Sequence, residues 1–372
     1  TSLLIETVNI MEDIIKPVFD SMRKGNMRVS AGGLNPTGAS CIITDELGND
    51  KLIGKCHRQV WYSKNGVPRS NFPDDKTFIK FAVGHAMEDN FQTHWNRSGL
   101  LIDGNIKIKE DISNGDPRGE MFISGEADGI IRDFETDEEG NITQISSTHA
   151  IGMEMKTNRG YFSGKEVYGV GNKRYPNGHP KMDHVMQTAM YLMMRWKMEE
   201  YYGVLIDSFR IVYCQVDDGL TTFFDISLSD GYEGNVIIKD RYGELVKPDV
   251  LASLEAGVNL DPISGLTTDN IKDRFYECAE KLLDTENPPE RDYQLRFDEK
   301  TFEKKLASGD ISKTGAATWE KKPLAPIGDW QCRFCDWGEV CMPFGVLTKA
   351  VEEGLLTPEA AMGQLGITGF GK

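Results

Sequence analysis

Two groups of side chains in this sequence have types and spacings that can carry chemistry. The first is a carboxylate set. Gly125-Glu126-Ala127-Asp128-Gly129 falls inside MFISGEADGIIRDF, a stretch with strand-like alternation. Asp is disfavoured in a strand interior and flanking glycines weaken the strand further, so packing gives no reason for Asp128 to be there. A second such stretch carries Glu154-Met155-Lys156. Residues two apart on a strand share a face, so Glu154 and Lys156 project together while Met153 and Met155 turn to the other side. An Asp and a Glu on neighbouring strands can hold a hard divalent cation, with water in its other positions. Such a cation lowers the pKa of bound water and steadies charge on a phosphate, and a nearby Lys can orient that water or neutralise the charge. The plain alternative is a solvated strand face with a Glu–Lys pair.

The second group is made of thiols. Cys332-Arg333-Phe334-Cys335 followed by Cys341 reads C-x2-C-x5-C, and Cys56 opens Cys56-His57-Arg58-Gln59-Val60-Trp61-Tyr62 far upstream. Thiolates are soft ligands, suited to zinc or to an iron–sulfur cluster. The chain has seven cysteines, and an odd count with no secretion signal does not read as a disulfide framework. Cys214 and Cys278 lie in apolar-patterned stretches and are assigned to the core; Cys41 has no assignment.

These groups need elements to hold them. Residues 1–23 read as an amphipathic helix, with Leu4, Val8, Met11 and Ile15 at helical spacing, and not as a signal peptide. Residues 24–50 read as loop or irregular strand, and 76–98 as a helix closed by Gly99. Residues 100–157 alternate as strands, with the acidic turn DEEGN making a hairpin. Residues 158–180 read as a long loop, 181–201 as a Met-rich helix, 204–214 and 220–228 as strands, and 268–284 as a helix. From 286 on the chain reads as irregular. The expected fold class is α/β (α+β) with a mixed central sheet flanked by helices.

Two helices bear on the site. Gly84-His85-Ala86-Met87-Glu88-Asp89 lies in the first, where His85 shares a face with Phe78 and Phe81 and reads as a core histidine. His184, Gln187 and Tyr191 form a polar stripe along the second, which is otherwise lined with Met and Leu. Such a stripe needs hydrogen-bond partners if buried.

Hydrophobic residues make up 39% of the chain, enough for a buried core, and no apolar run approaches a membrane span. Net charge is −16, which argues against a protein that coats nucleic acid nonspecifically. Residues 158–181 are a local exception. Arg159, Lys165, Lys173, Arg174 and Lys181 stand there with one acid, Glu166, and with Tyr161, Tyr168 and Tyr175 interleaved. Cations follow a phosphate backbone and aromatic rings stack on unpaired bases, so this segment is the candidate DNA contact. Its plain alternative is a solvated loop.

Taken in order, Gly84/His85 with Glu88 or Asp89, then Asp128, Glu154/Lys156 and Gln187/Tyr191 resemble the nuclease domains of RecB and AddB, within the PD-(D/E)XK group. The flanking cysteines resemble those of the iron–sulfur nucleases, which include AddB, the fourth CRISPR-associated protein and eukaryotic relatives that process DNA ends. The resemblance spans residues 56 to 341. It departs at the acid after the histidine, which is usually four residues on; here that is Asp89, with Glu88 one earlier. It implies a restriction-endonuclease-like core in which His85, Asp128 and Glu154 ligate Mg²⁺ or Mn²⁺, Lys156 is the catalytic lysine, and Gln187 and Tyr191 position substrate or that lysine. It implies that Cys56, Cys332, Cys335 and Cys341 hold one [4Fe–4S] cluster, though a structural zinc fits the same spacing.

Three regions follow from it: 1–75 supplying the first cysteine, 76–285 as nuclease core, and 286–372 as a cluster region tied to the N-terminal part. The implied activity is exonucleolytic cleavage of single-stranded DNA or DNA ends, in recombination, repair or CRISPR and phage DNA processing. The implied setting is the cytoplasm of a bacterial, archaeal or phage-infected cell, with DNA and recombination or CRISPR-adaptation proteins as partners and no membrane. Rival readings are a non-catalytic zinc- or cluster-containing nucleic-acid-binding protein with a nuclease-like fold, and a redox protein.

Overall fold

The alternation in residues 100–157 becomes three long antiparallel strands. In the computed structural model the described residues are 21, 34–44, 50–71, 74–170, 176–246, 266–307, 309, 311–322 and 324–365. The strands are β1 (Ser40–Thr44), β2 (Asp50–Gly54), β3 (Leu101–Asp111), β4 (Phe122–Thr136), β5 (Ile142–Asn158), β6 (Leu205–Gln215), β7 (Thr221–Asp230) and β8 (Glu233–Asp240). The helices are α1 (His57–Lys64), α2 (Asp75–Arg97), α3 (Tyr161–Val167), α4 (Met182–Met194), α5 (Trp196–Tyr202), α6 (Thr268–Lys281), α7 (Glu299–Ala307), α8 (Lys313–Lys321), α9 (Trp330–Arg333), α10 (Gly338–Cys341), α11 (Phe344–Glu352) and α12 (Pro358–Gln364).

The fold is mixed α+β. Strands β3 to β8 form one six-stranded sheet in sequence order. All its pairings are antiparallel except β5 with β6. A parallel pair needs a crossover, and α3, α4 and α5 supply it. The turn at 137–141 closes the β4–β5 hairpin: the Asp137 carboxylate accepts the Asn141 N–H at 2.7 Å, and Gly140 takes φ 86°. Strands β1 and β2 pair separately.

Helix α4 is nearly all buried, with Val185, Met186, Ala189, Met190, Leu192 and Met194 at or near zero exposure. It packs on β6, β7 and β2. Gly152 on β5 lets the Phe209 ring lie where a Cβ would meet it at 2.3 Å. Helix α2 lies against β3, β4 and β5. Asp74 caps it, accepting the Thr77 N–H at 2.8 Å, and Gly99 follows its end at φ 74°.

The chain divides into two compact units, one of residues 1–55 and 73–277, the other of residues 56–72 and 278–372. In this division residues 56–72, with Cys56, group with residues 278–372. In the second unit, Trp61, Tyr62 and Trp337 pack with Val67 and Leu282, and the Trp337 indole donates to the Val67 carbonyl at 2.8 Å.

Four expectations need correction. The loop over 158–180 contains α3. The single helix over 181–201 is broken at Arg195, whose guanidinium donates to the Leu192 and Gly231 carbonyls at 3.0 and 2.7 Å. The tail beyond 286 is not irregular; it folds into α7 to α12. Strand β8 was not expected at all. The helix over 1–23 lies outside the described residues except at Ser21, as does most of 24–50 outside 34–44. Among the described residues no helix is long and apolar enough to cross a membrane.

Candidate active site

Asp128, Glu154, Lys156, Gln187 and Tyr191 come together in the first unit. Glu154 is 1% exposed. Its Oε1 accepts from the Lys156 ammonium and from the Gln187 amide, the latter at 2.8 Å. The same amide donates to the Tyr191 hydroxyl at 3.1 Å, and Tyr191 donates to the Glu126 carbonyl at 2.7 Å. Gly125 lets this happen, since a Cβ there would lie 3.1 Å from the Tyr191 ring and 2.9 Å from Pro36. The polar stripe of α4 thus ends on the carboxylate of β5 and the backbone of β4.

Asp128 stands where β4 leaves β5. Their register ends at Gly129↔Met153, and one residue on, the Asp128 carboxylate accepts the Met155 N–H. Burial, then the Glu154 charge, pushes the Asp128 carboxyl up to about 8. Burial likewise raises Glu154. For Lys156, burial opposes the charge, but Glu154, Asp128 and Glu88 together outweigh it and hold the ammonium above its ordinary value. Two buried carboxyls of raised pKa on adjacent strands are a place where added positive charge is stabilising.

The Glu154 Oε2 atom is buried with no hydrogen-bond partner. An unsatisfied buried acceptor costs about 1–3 kcal/mol, more when charged. Asp128 and this free oxygen therefore suit a hard cation that brings its own water and asks few ligands of the protein. Among the described residues, no group of three or more His, Cys, Asp and Glu side chains is drawn together tightly enough to hold a metal ion.

Helix α2 contributes Glu88, whose charge acts on Asp128, Glu154 and Lys156 alike. Of the two acids after the histidine it is the one turned to the site; Asp89 is exposed. His85 is not a core residue. Its side chain is 75% exposed and its Nδ1 lies 3.3 Å from Glu88. Gly84 passes close to β5, a Cβ there meeting Thr157 Oγ1 at 3.3 Å. His184 turns to Tyr213, with Nδ1 2.9 Å from the hydroxyl, and burial pushes its imidazole down to about 3.

The candidate DNA contacts divide. Arg159 pairs with Asp217 at 2.6 Å, and Lys165 is exposed on α3. Tyr161 opens α3, and Lys173 and Arg174 lie outside the described residues. Reading the sequence missed Gln92, whose amide donates to the Asp128 carbonyl at 2.7 Å. Its signal was its place four residues after Glu88 on one helix, which puts both on one face.

Cys56, Cys332, Cys335 and Cys341 all lie in the second unit, Cys56 just ahead of α1, Cys332 in α9, Cys341 at the end of α10 and Cys335 between them. Burial pushes Cys332 up to about 12, with Cys56, Cys341 and Cys335 each adding to the rise. Burial also takes Cys335 to about 11, again with Cys341 and Cys56 contributing. The four sulfurs therefore share one electrostatic neighbourhood, and as a soft donor set they suit a thiophilic metal. Arg291 donates to the Cys341 sulfur at 3.2 Å and to its carbonyl at 2.6 Å. Cys41, Cys214 and Cys278 are buried, Cys41 completely.

No family model matches this chain, and no curated protein matches it. A solved structure described as "Crystal structure of SSO0001" is similar over 74% of this chain and 88% of that chain, at 14% identity and a TM-score of 0.34. A likeness that loose carries no argument about fold or activity.

Proposed function

We propose that this chain is a metal-dependent DNA nuclease with a PD-(D/E)XK-type site. What supports the reading most is one observation: Asp128, Lys156, Gln187 and Tyr191 gather at the Glu154 carboxylate, whose Oε1 takes the Lys156 and Gln187 contacts while Oε2 is buried with no hydrogen-bond partner. Asp128 and Glu154 are the residues to hold Mg²⁺ or Mn²⁺, with Glu88 or His85 closing in from α2. When bound, that cation supplies an acidified water and neutralises charge on phosphate. Lys156 keeps its proton through Glu154 and is placed to hold a phosphate oxygen or the attacking water. Gln187 fixes the Glu154 carboxylate and is itself steadied by Tyr191. DNA, single-stranded or at ends, is the proposed substrate, with the basic segment 158–181 as its proposed track.

The four cysteines of the second unit are proposed to hold one [4Fe–4S] cluster, with zinc as the alternative metal. The rival function, a non-catalytic zinc- or cluster-containing nucleic-acid-binding protein, draws on His85 being turned out to Glu88. Purified chain incubated with end-labelled single- and double-stranded DNA decides between them. Mg²⁺- or Mn²⁺-dependent release of label that D128N abolishes supports the nuclease; binding without cleavage under both metals supports the rival.

A further inference from the structure

The strand carrying Asp128 has no ladder pair at that residue on either side. Toward β3 the register runs through Ile106↔Ala127 and Gly104↔Gly129, and the pair between them, Asn105 with Asp128, is skipped. Asn105 stands at φ 54°, in the left-handed region that few L residues other than Asn and Asp tolerate. Toward β5 the ladder has already ended, at Gly129↔Met153. Asp128 thus has no ladder partner on either side, and its carbonyl is held from outside the sheet. Gln92 of α2 donates to its carbonyl at 2.7 Å, and the same amide reaches Asn105 Oδ1 at 3.5 Å. Gly104 leaves the room this takes: a Cβ there would lie 2.9 Å from the Gln92 amide carbon and oxygen. Asp103-Gly104-Asn105 is a turn-like triplet set inside a strand, and a lone Gly in a strand often marks such a close approach.

We propose that Gln92, Gly104 and Asn105 form a positioning device that aims the Asp128 carboxylate, with Gln92 as its pivot. The inference rests on Asp128 being a cation ligand. A regular strand would turn Asp128 along the pleat like any alternate residue. Local breaks of a ladder re-aim a side chain and gather next to functional sites. Metal ligands need their orientation fixed by such outer contacts, whose loss typically weakens metal binding about 10–100-fold. The same helix brings Glu88 to the site one turn earlier, so Gln92 also sets the spacing between α2 and the carboxylates.

The test compares Q92M, which keeps length and volume but has no amide, with N105A and N105G in the full chain. The readouts are Mn²⁺ affinity by electron paramagnetic resonance, kcat and KM on an end-labelled oligonucleotide, and melting temperature. Q92M is expected to bind Mn²⁺ about tenfold more weakly and to lower kcat with KM for DNA unchanged. N105G, which keeps the left-handed backbone, is expected to bind Mn²⁺ several-fold more tightly than N105A, roughly in line with the cost of that backbone for Ala. Wild-type Mn²⁺ affinity in Q92M, or equal affinity in N105A and N105G, overturns the positioning role and leaves the cation site standing. If the unaltered chain binds Mn²⁺ no better than D128N does, the cation site itself falls and this inference falls with it.

Discussion

The carboxylate site and the cysteine region are built in opposite ways. Around Asp128 and Glu154, side chains from four elements are fixed by a sheet ladder, a buried helix and a chain of hydrogen bonds that runs Lys156–Glu154–Gln187–Tyr191–Glu126. Nothing in that chain needs a metal for its geometry. The thiols sit otherwise. Three of the four belong to or lie between α9 and α10, helices of four residues each, too short to be stable alone. Contacts at their sulfurs are longer: Cys332 to the Tyr293 carbonyl at 3.8 Å, and Arg291 and Arg58 to Cys341 at 3.2 and 3.9 Å. The first region is organised by the protein's own contacts, which is what the proposed catalysis asks of a site. The other rests on short helices, and if it holds the proposed cluster, binding energy there is folding energy.

The largest expected effect separates the two directly. D128N and K156A should each lower turnover by about 10²-fold or more, measured as label released at saturating Mg²⁺, while the melting temperature stays within a few degrees of the unaltered chain. A variant of either residue that turns over normally removes the catalytic assignment. C56S, C332S, C335S and C341S should behave in the opposite sense. Each should lose its iron and lower the melting temperature by roughly 10 °C, at roughly 3–4 °C per kcal/mol for a unit of this size, and C214S and C278S should keep full iron. Stoichiometric zinc after air-free purification would replace the cluster; full iron in C56S would detach Cys56 from the site.

A pH titration sharpens the contrast further. The Asp128 carboxyl is raised from 3.8 to about 8 in the folded, ion-free chain. Between those values the native state keeps a proton that the unfolded state has released, so stability must fall as pH rises through that window. Thermal melts in chelator should therefore decline from about pH 4 to pH 8, D128N should flatten the decline, and Mn²⁺ should offset it by favouring the carboxylate. A decline that D128N leaves intact would assign the effect to another group. The smallest effect concerns DNA. Changing Lys173 and Arg174 together to Ala should reduce the slope of log affinity against log salt by roughly 1.4 for single strands, at about 0.7 per contact. An unchanged slope places the DNA track elsewhere.

The contrast also explains what could be read from the sequence. Strands β3 to β7 were legible because alternation over ten or more residues has few other meanings, and Asp128, Glu154 and Lys156 were legible as polar residues that such strands do not otherwise explain. The helix behind Gln187 and Tyr191 was legible as a face, but its break at Arg195 was not, since that break depends on a guanidinium reaching Gly231 thirty-six residues away. The helices beyond 286 are four to nine residues long, too short for a helical period to stand out. His85 shares its helix face with Phe78, but Phe81 is itself exposed, so the apolar face ends before the histidine is reached. Gln92 and Asn105 were hidden for a different reason: their roles are set by one backbone carbonyl on another strand.

The left-handed turn of Asn105 has an effect on assembly as well. Among the described residues strand β3 is an outer strand of the sheet, eleven residues long, and one of its main-chain edges pairs with no other strand. Such a border invites sheet-to-sheet growth unless it is bent or charged. Asn105 bends it near its midpoint, and Lys107 and Lys109 charge the half that follows. The kink that aims a carboxylate inward also shortens the straight template offered outward, so an N105A chain should be more prone to form mixed-sheet aggregates on storage than its wild-type parent.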